Sequence, residues 1–303
     1  MEPNKKLEQG CFSMLARTVA VRLIAVAVVL GLVVVSCVFG SVVGSFMDGT
    51  WGLIAGTLFF GIAIFAGGFG FAFVTVYRRK IYLDKAFTPL GLEGSIYRIF
   101  FRKYAGKVRG RDVEVFFSRG PMVEILIATG LKTRVGISPA FGDTMFFSKH
   151  LGEQSMEHNI ANLKNLKVWA EEEPWALNLL SEPSVQQRLI RTLSGQTFFV
   201  RSFMKLFPDY LQVHFSGNTN VFSWEIPPDQ VEQWFSDAFD ILDVAESKIA
   251  PPQNPIEMTS AERLAVSIRR KDTTKFTLIM VGAMLAFFFF VFVAAMLFIT
   301  LVG

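Results

Sequence analysis

The sequence predicts a membrane protein with three transmembrane α-helices, an N-terminal hairpin plus a C-terminal helix. Its middle is expected to be a cytoplasmic α+β domain with an antiparallel β-meander and a long C-terminal amphipathic helix. Three observations carry that expectation. The stretches Ile24–Phe46, Trp51–Tyr77 and Phe276–Val302 contain no charged residue; as helices each would run roughly 35–40 Å, enough to cross a hydrocarbon core about 30 Å thick. Basic residues crowd their flanks on one side only. Between them, residues 78–275 alternate short apolar patterns suited to strands and helices.

Orientation follows from the flanks. Lys5, Lys6, Arg17 and Arg22 precede the first stretch, Arg78, Arg79 and Lys80 follow the second, and Arg269, Arg270, Lys271 and Lys275 precede the third. The turn Met47-Asp48-Gly49-Thr50 and the tail Gly303 hold no basic residue. Because Lys and Arg are retained inside, the N-terminus and residues 78–275 are expected in the cytoplasm and the C-terminus outside, with the chain integral to a bacterial inner membrane. The expected segments are 1–22, a cytoplasmic lead; 23–77, the hairpin; 78–250, the α+β domain; 251–275, a linker and juxtamembrane helix; and 276–303, the last span.

Within the hairpin, Ser36, Gly40 and Gly44 share one face of the first helix, and Gly52 and Gly56 share one face of the second. Small residues at such spacing let helix backbones approach closely. Val34-Val35-Ser36-Cys37 also has the form of a lipobox, which would make Cys37 a lipidation site; unbroken apolar sequence through Phe46 argues against cleavage there. Phe287–Phe290 and Phe292 give the third span a bulky surface suited to lipid. Two cysteines, Cys11 and Cys37, supply neither a disulfide framework nor a metal pair.

The α+β domain divides by charge. Residues 78–150 hold 14 basic and 6 acidic side chains, net +8; residues 151–260 hold 7 and 15, net −8; residues 261–275 hold 5 and 2. In the basic part (78–150), a strand at Lys103–Arg109 precedes alternation at Val113, Val115 and Phe117, a turn at Arg119-Gly120-Pro121, and alternation at Val123, Ile125 and Ile127. Thr133, Val135 and Ile137 suggest a third meander strand. Lys103, Lys107, Arg109, Lys132 and Arg134 then merge into one basic surface, a candidate for anionic headgroups at about 1 kcal/mol per side chain. The bland counterpart is a solvated sheet face.

The acidic part (151–250) reads as a strand at Leu166–Ala170, then a helix opened by Glu171-Glu172-Glu173-Pro174, where carboxylates meet the positive end of the helix dipole. A second helix follows over Pro183–Ser194. A hairpin of Phe198–Leu206 and Tyr210–Phe215 closes at Pro208-Asp209, and Val221–Ile226 suggests another strand. In Pro228–Lys248, Val231, Trp234, Phe235, Ala238, Ile241, Leu242 and Ala245 form one stripe and the acids lie mostly off it. After the stiff Pro251–Pro255 linker, Thr259-Ser260-Ala261-Glu262 matches a capping box, and a helix from there is expected to run into the third span.

Chemistry is sparsely signalled. His150, Glu153, Glu157 and His158 would cluster if residues 149–165 were one helix, but Gly152 weakens it and HExxH is absent. His214 lies outward on a strand with no sequence partner. There is no phosphate-binding GxxxxGK[ST], no GxSxG elbow and no kinase set, and the basic stretch carries no nucleic-acid signature. No cofactor, catalytic residue or metal ligand is expected.

The order of a meander at Gly106–Ile137, Leu166-Lys167-Val168 before a helix with Ala176, Leu179 and Leu180, then Pro183–Leu193, strands and a terminal helix resembles several families of uncharacterised bacterial membrane proteins carrying a cytoplasmic α+β module. That resemblance covers about 150 residues, rests on apolar spacing, and implies no activity. A pleckstrin-like lipid-binding domain is a more distant likeness, from strands ending in a helix with Trp234. The function expected is a non-enzymatic, membrane-anchored binding or scaffolding module. Its expected partners are the lipid bilayer, anionic headgroups, and a second copy or another protein, with no nucleic acid. Anionic-lipid sensing and a membrane-surface enzyme with an unrecognised site are the alternatives.

Overall fold

The short apolar alternations of residues 93–216 assemble into one eight-stranded sheet, every neighbouring pair antiparallel. The structure is a computed structural model that describes residues 76–98, 101–118, 122–139, 155–194, 201–216, 226–271, 273–276 and 278–280, with single positions elsewhere. The chain forms two units, Met1–Arg79 and Lys80–Gly303, and the sheet with its helices belongs to the second. Its strands are β1 (Glu93–Tyr97), β2 (Phe101–Val108), β3 (Arg111–Ser118), β4 (Met122–Ala128), β5 (Val135–Pro139), β6 (Leu166–Ala170), β7 (Arg201–Phe207) and β8 (Tyr210–Ser216). They lie in the order β1-β2-β3-β4-β8-β7-β5-β6. The helices are α1 (Glu173–Ser181), α2 (Pro183–Ser194), α3 (Pro228–Ser247) and α4 (Ser260–Arg270).

Helical residues 80–87 lead into β1 and send Leu83, Ala86 and Phe87 into the main core, with Phe87 stacked on Tyr104 at 5.1 Å. The same side of the sheet carries α1, α2 and α3. Alternation decides this: Val113, Val115 and Phe117, then Val123, Ile125 and Ile127, project to that side and are fully buried. The stripe of α3 meets them, and Trp234 lies flat on Phe215 with ring centroids 4.3 Å apart.

Three hairpin turns hold residues at positive φ, Arg98 (φ 49) after β1 among them. Arg109 (φ 48) and Gly110 (φ 80) join β2 to β3, the pattern a two-residue primed turn demands. Pro208-Asp209 joins β7 to β8, with Asp209 at φ 72 held by its N–H to Leu131 and its C=O from the Thr129 N–H. Gly106 is required for another reason: a Cβ there would lie 2.7 Å from the Gly91 carbonyl oxygen. Gly106→Ala is therefore expected to destabilise the domain by about 1–3 kcal/mol, read as a lowered urea midpoint.

Several expectations are corrected. Three transmembrane helices are not found: among the described residues no helix is long and apolar enough to cross a membrane. The membrane and transmembrane assignments that rest on spanning helices fall with them. The physical reason is visible in α3, the longest of the four helices at 20 residues: it is apolar on one stripe and carries Asp237, Asp240, Asp243 and Glu246 on its flanks. The three apolar stretches lie mostly outside the described residues, and Ser36, Cys37, Gly40, Gly44, Gly52 and Gly56 lie wholly outside them.

The strand at Val135–Pro139 is not the next meander strand. It pairs with β6 and β7, while β8 occupies the edge of β4 through a seven-pair register from Met122↔Ser216 to Ala128↔Tyr210. Arg109 lies in a turn, not in β2. Residues 155–160 are not helical, Met156 bridging Val168 and Ile160 being extended, so the 149–165 helix is absent there; His150 and Glu153 lie outside the described residues. Val221–Glu225 is likewise undescribed. Finally α4 stops at Arg270, since Lys271 is extended (ψ 113), so it does not continue unbroken into the following segment.

Candidate functional site

The opposite side of the sheet is built differently. Alternation sends Lys103, Glu114, Phe116, Glu124, Leu126, Lys205, Phe207, Gln212 and His214 to it, and α4 lies across them. The sequence places α4 by its capping box: the Thr259 hydroxyl accepts from the Glu262 N–H at 3.2 Å, and the Glu262 carboxylate accepts from the Thr259 N–H at 2.9 Å. Tyr97, Phe116, Leu126, Phe207 and Val266 give a small apolar centre.

Around that centre runs a polar seam of three carboxylates. Glu262 takes two bonds of 2.9 Å from Arg134 and faces Lys205 Nζ at 3.5 Å. Glu124 accepts from Gln212 at 2.5 Å and from Arg269 at 2.8 Å, and lies 3.5 Å from His214, whose ring stacks on Phe203. Glu114 binds Lys103 and Arg270, each at 2.6 Å, and Arg270 also donates to the Tyr210 hydroxyl. Two backbone ties finish the clamp: the Tyr97 hydroxyl donates to the Arg269 carbonyl at 2.7 Å and Arg98 to the Ile268 carbonyl at 3.0 Å.

The electrostatics follow from these contacts. Burial alone pushes Glu262 up, but Arg134, the Thr259 N–H and Lys205 outweigh it and hold its carboxyl at about 2. Glu114 is likewise lowered by Lys103 and Arg270 against the opposing effect of burial. Burial holds the Lys205 ammonium below its ordinary range, Glu262 offsetting part of that.

The five basic residues singled out from sequence do not share one free surface. Lys103 and Arg134 belong to the seam. Arg109 reaches Asp240 on α3 at 3.2 Å, on the other side of the sheet. Lys132 binds Asp209 at 2.8 Å and Glu257 at 3.5 Å. Lys107 stands three-quarters exposed, 3.9 Å from Asp112. The charge division of the sequence is thus largely answered inside the fold, and Arg111 shows it again with Asp243 and Glu246 on α3.

Glu246 is held at about 2 by Arg111, with burial opposing and the Thr129 hydroxyl and Gly130 N–H assisting. Both Glu246 and Glu262 bind fewer protons folded than unfolded, so stability is full above about pH 4.5 and falls as pH drops toward about 2. The thermal midpoint is expected to hold between about pH 7 and 5 and to fall steeply between about pH 4.5 and 2.

No family model matches this chain. No curated protein matches it either. Among solved structures, the mycobacterial trehalose monomycolate transport factor A, TtfA, aligns over 59% of this chain and 98% of its own, at 11% identity and a TM-score of 0.38. A likeness that weak shows no shared fold, and the families anticipated from apolar spacing gain nothing beyond it.

Lys205, Glu124 and Gln212 are absent from the residues the sequence points to, and Arg269 enters there only as a flanking charge. A usable signal was present: Lys205 sits between Phe203 and Phe207 at strand spacing, and Glu124 interrupts Val123–Ile127, so each lies on a face that is covered. Between α4 and the sheet remains a cavity of about 50 Å³ lined by Lys205, Phe207, Gln212, Glu262, Val266 and Arg269. It has room for a few waters, well below the roughly 300–1,000 Å³ of small-molecule pockets.

Proposed function

We propose that the sheet and its helices form a non-enzymatic binding or scaffolding module that fixes the chain leaving α4 and presents it to a partner. The observation that carries this reading is the seam. Its carboxylates are each shared between at least two donors, Glu114 with Lys103 and Arg270 and Glu262 with Arg134 and Lys205. Groups so engaged hold a helix in register; a general acid or base needs a free position toward a reactant. The fixed end of α4 then sets where residues beyond Arg270 begin.

Cross-linking of the full-length chain in cells, followed by mass spectrometry, tests the reading. A defined neighbour or a self-contact is expected repeatedly at positions beyond Arg270, and weakening the clamp with Glu262→Ala should scatter those cross-links. Recovery of the monomer alone in repeated experiments overturns it.

A further inference from the structure

Helix α4 is inverted relative to an ordinary surface helix. Its sheet-facing side carries Glu262 and Arg269 beside Val266, and Glu262 is only 4% exposed. Its outward side carries Leu264 and Ile268, exposed at 58% and 50%. A helix bounded by water shows the reverse arrangement. Leu264 and Ile268 are four residues apart and therefore adjacent on one face. Arg263 and Lys271 flank them, both exposed and neither in an ion pair among the described residues. Arg98, reaching the Ile268 carbonyl, adds a third cation at the end of the stripe.

We propose that this outward face of α4 rests on an anionic lipid surface, Leu264 and Ile268 entering the boundary between headgroups and acyl chains while Arg263 and Lys271 meet lipid phosphates. The inference rests on the binding-module reading and names its partner. Charge selects the occupant. A second copy would bring Arg263 and Lys271 against like charges. A helix-binding protein groove reads three or four apolar anchors over two turns, and α4 offers two large ones. A lipid interface needs only an apolar stripe with a cationic rim and no shape match. The chain then runs through Lys275 to exposed Phe276, Ile279 and Met280, repeating the order of basic and apolar residues.

The test uses the full-length chain with Cys11→Ser, Cys37→Ser and Ser267→Cys, carrying an environment-sensitive fluorophore at position 267. Vesicles are phosphatidylcholine alone or with about one third phosphatidylglycerol. Expected is a blue shift with the anionic vesicles, weakening with added salt, and little with neutral ones. Arg263→Gln with Lys271→Gln should weaken the response about thirtyfold, at roughly fivefold per basic side chain, with an unchanged thermal midpoint showing that the fold is intact. Three results overturn the inference: equal shifts on both vesicles, no shift on either, or a shift that grows with protein concentration in the absence of vesicles. A defined cross-linked neighbour without a vesicle response overturns the lipid assignment and leaves the module reading standing; absence of both removes the two together.

Discussion

Glu262→Ala is expected to release α4 from the sheet. The substitution leaves Arg134 and Lys205 buried without their shared counter-charge, and breaking a buried pair in this way costs about 3–5 kcal/mol. It also removes the carboxylate that caps the Thr259 N–H. Because the loss is confined to one face, the readout is local. Amide hydrogen exchange over Ser260–Arg270 should accelerate at least a hundredfold, which corresponds to roughly 3 kcal/mol. Protection in β3, β4 and β8 should change far less, since their larger core, with Val113, Val115, Val123, Ile125, Val213 and Phe215, lies on the other face. A triple variant separates charge from packing: Arg134→Met, Lys205→Met and Glu262→Leu replace the whole cluster with apolar groups and should recover much of the lost protection. Unchanged exchange in Glu262→Ala would show that the apolar centre around Val266 holds the helix by itself.

Trp234→Ala should cost about 3–5 kcal/mol and weaken the whole domain. Trp234 is 1% exposed, the largest of the fully buried side chains, and it stacks on Phe215 where α3 crosses β8. Truncation empties the space between the sheet and the helix that covers it. Trp234→Phe keeps an aromatic face toward Phe215 and should cost roughly half as much. Chemical denaturation followed by near-ultraviolet circular dichroism gives the midpoint. A loss below about 1 kcal/mol for the alanine variant would mean that the neighbouring residues collapse into the site.

How much of the fold is legible in the sequence differs by element, for physical reasons. The stripe of α3, the strand at Leu166–Ala170, the helix over Pro183–Ser194 and the turn at Pro208-Asp209 are all readable, because side-chain period and turn chemistry act over a few residues. The neighbour of β4 is not. A period of two says which residues share a face, and many strands satisfy it; β8 lies beside β4 from far along the chain, while β5, the nearer candidate, pairs elsewhere. The three expected membrane-crossing helices are not found among the described residues. Apolar length states what a segment would do if helical, and α3, the longest of the four named helices, turns its apolar stripe to the sheet.

The basic residues show the same division at the level of the site. Sequence alone determined their sign and number and the opposite sign of the later half, and local chemistry determined the capping box that starts α4. Only the tertiary structure decided that Arg134 meets Glu262, that Arg111 meets Glu246, and that α4 turns Glu262 inward and Leu264 outward. Composition fixes how much charge a chain carries. Which carboxylate lies within about 3 Å of which guanidinium depends on strand order and helix placement, and those arise from packing across the whole sheet.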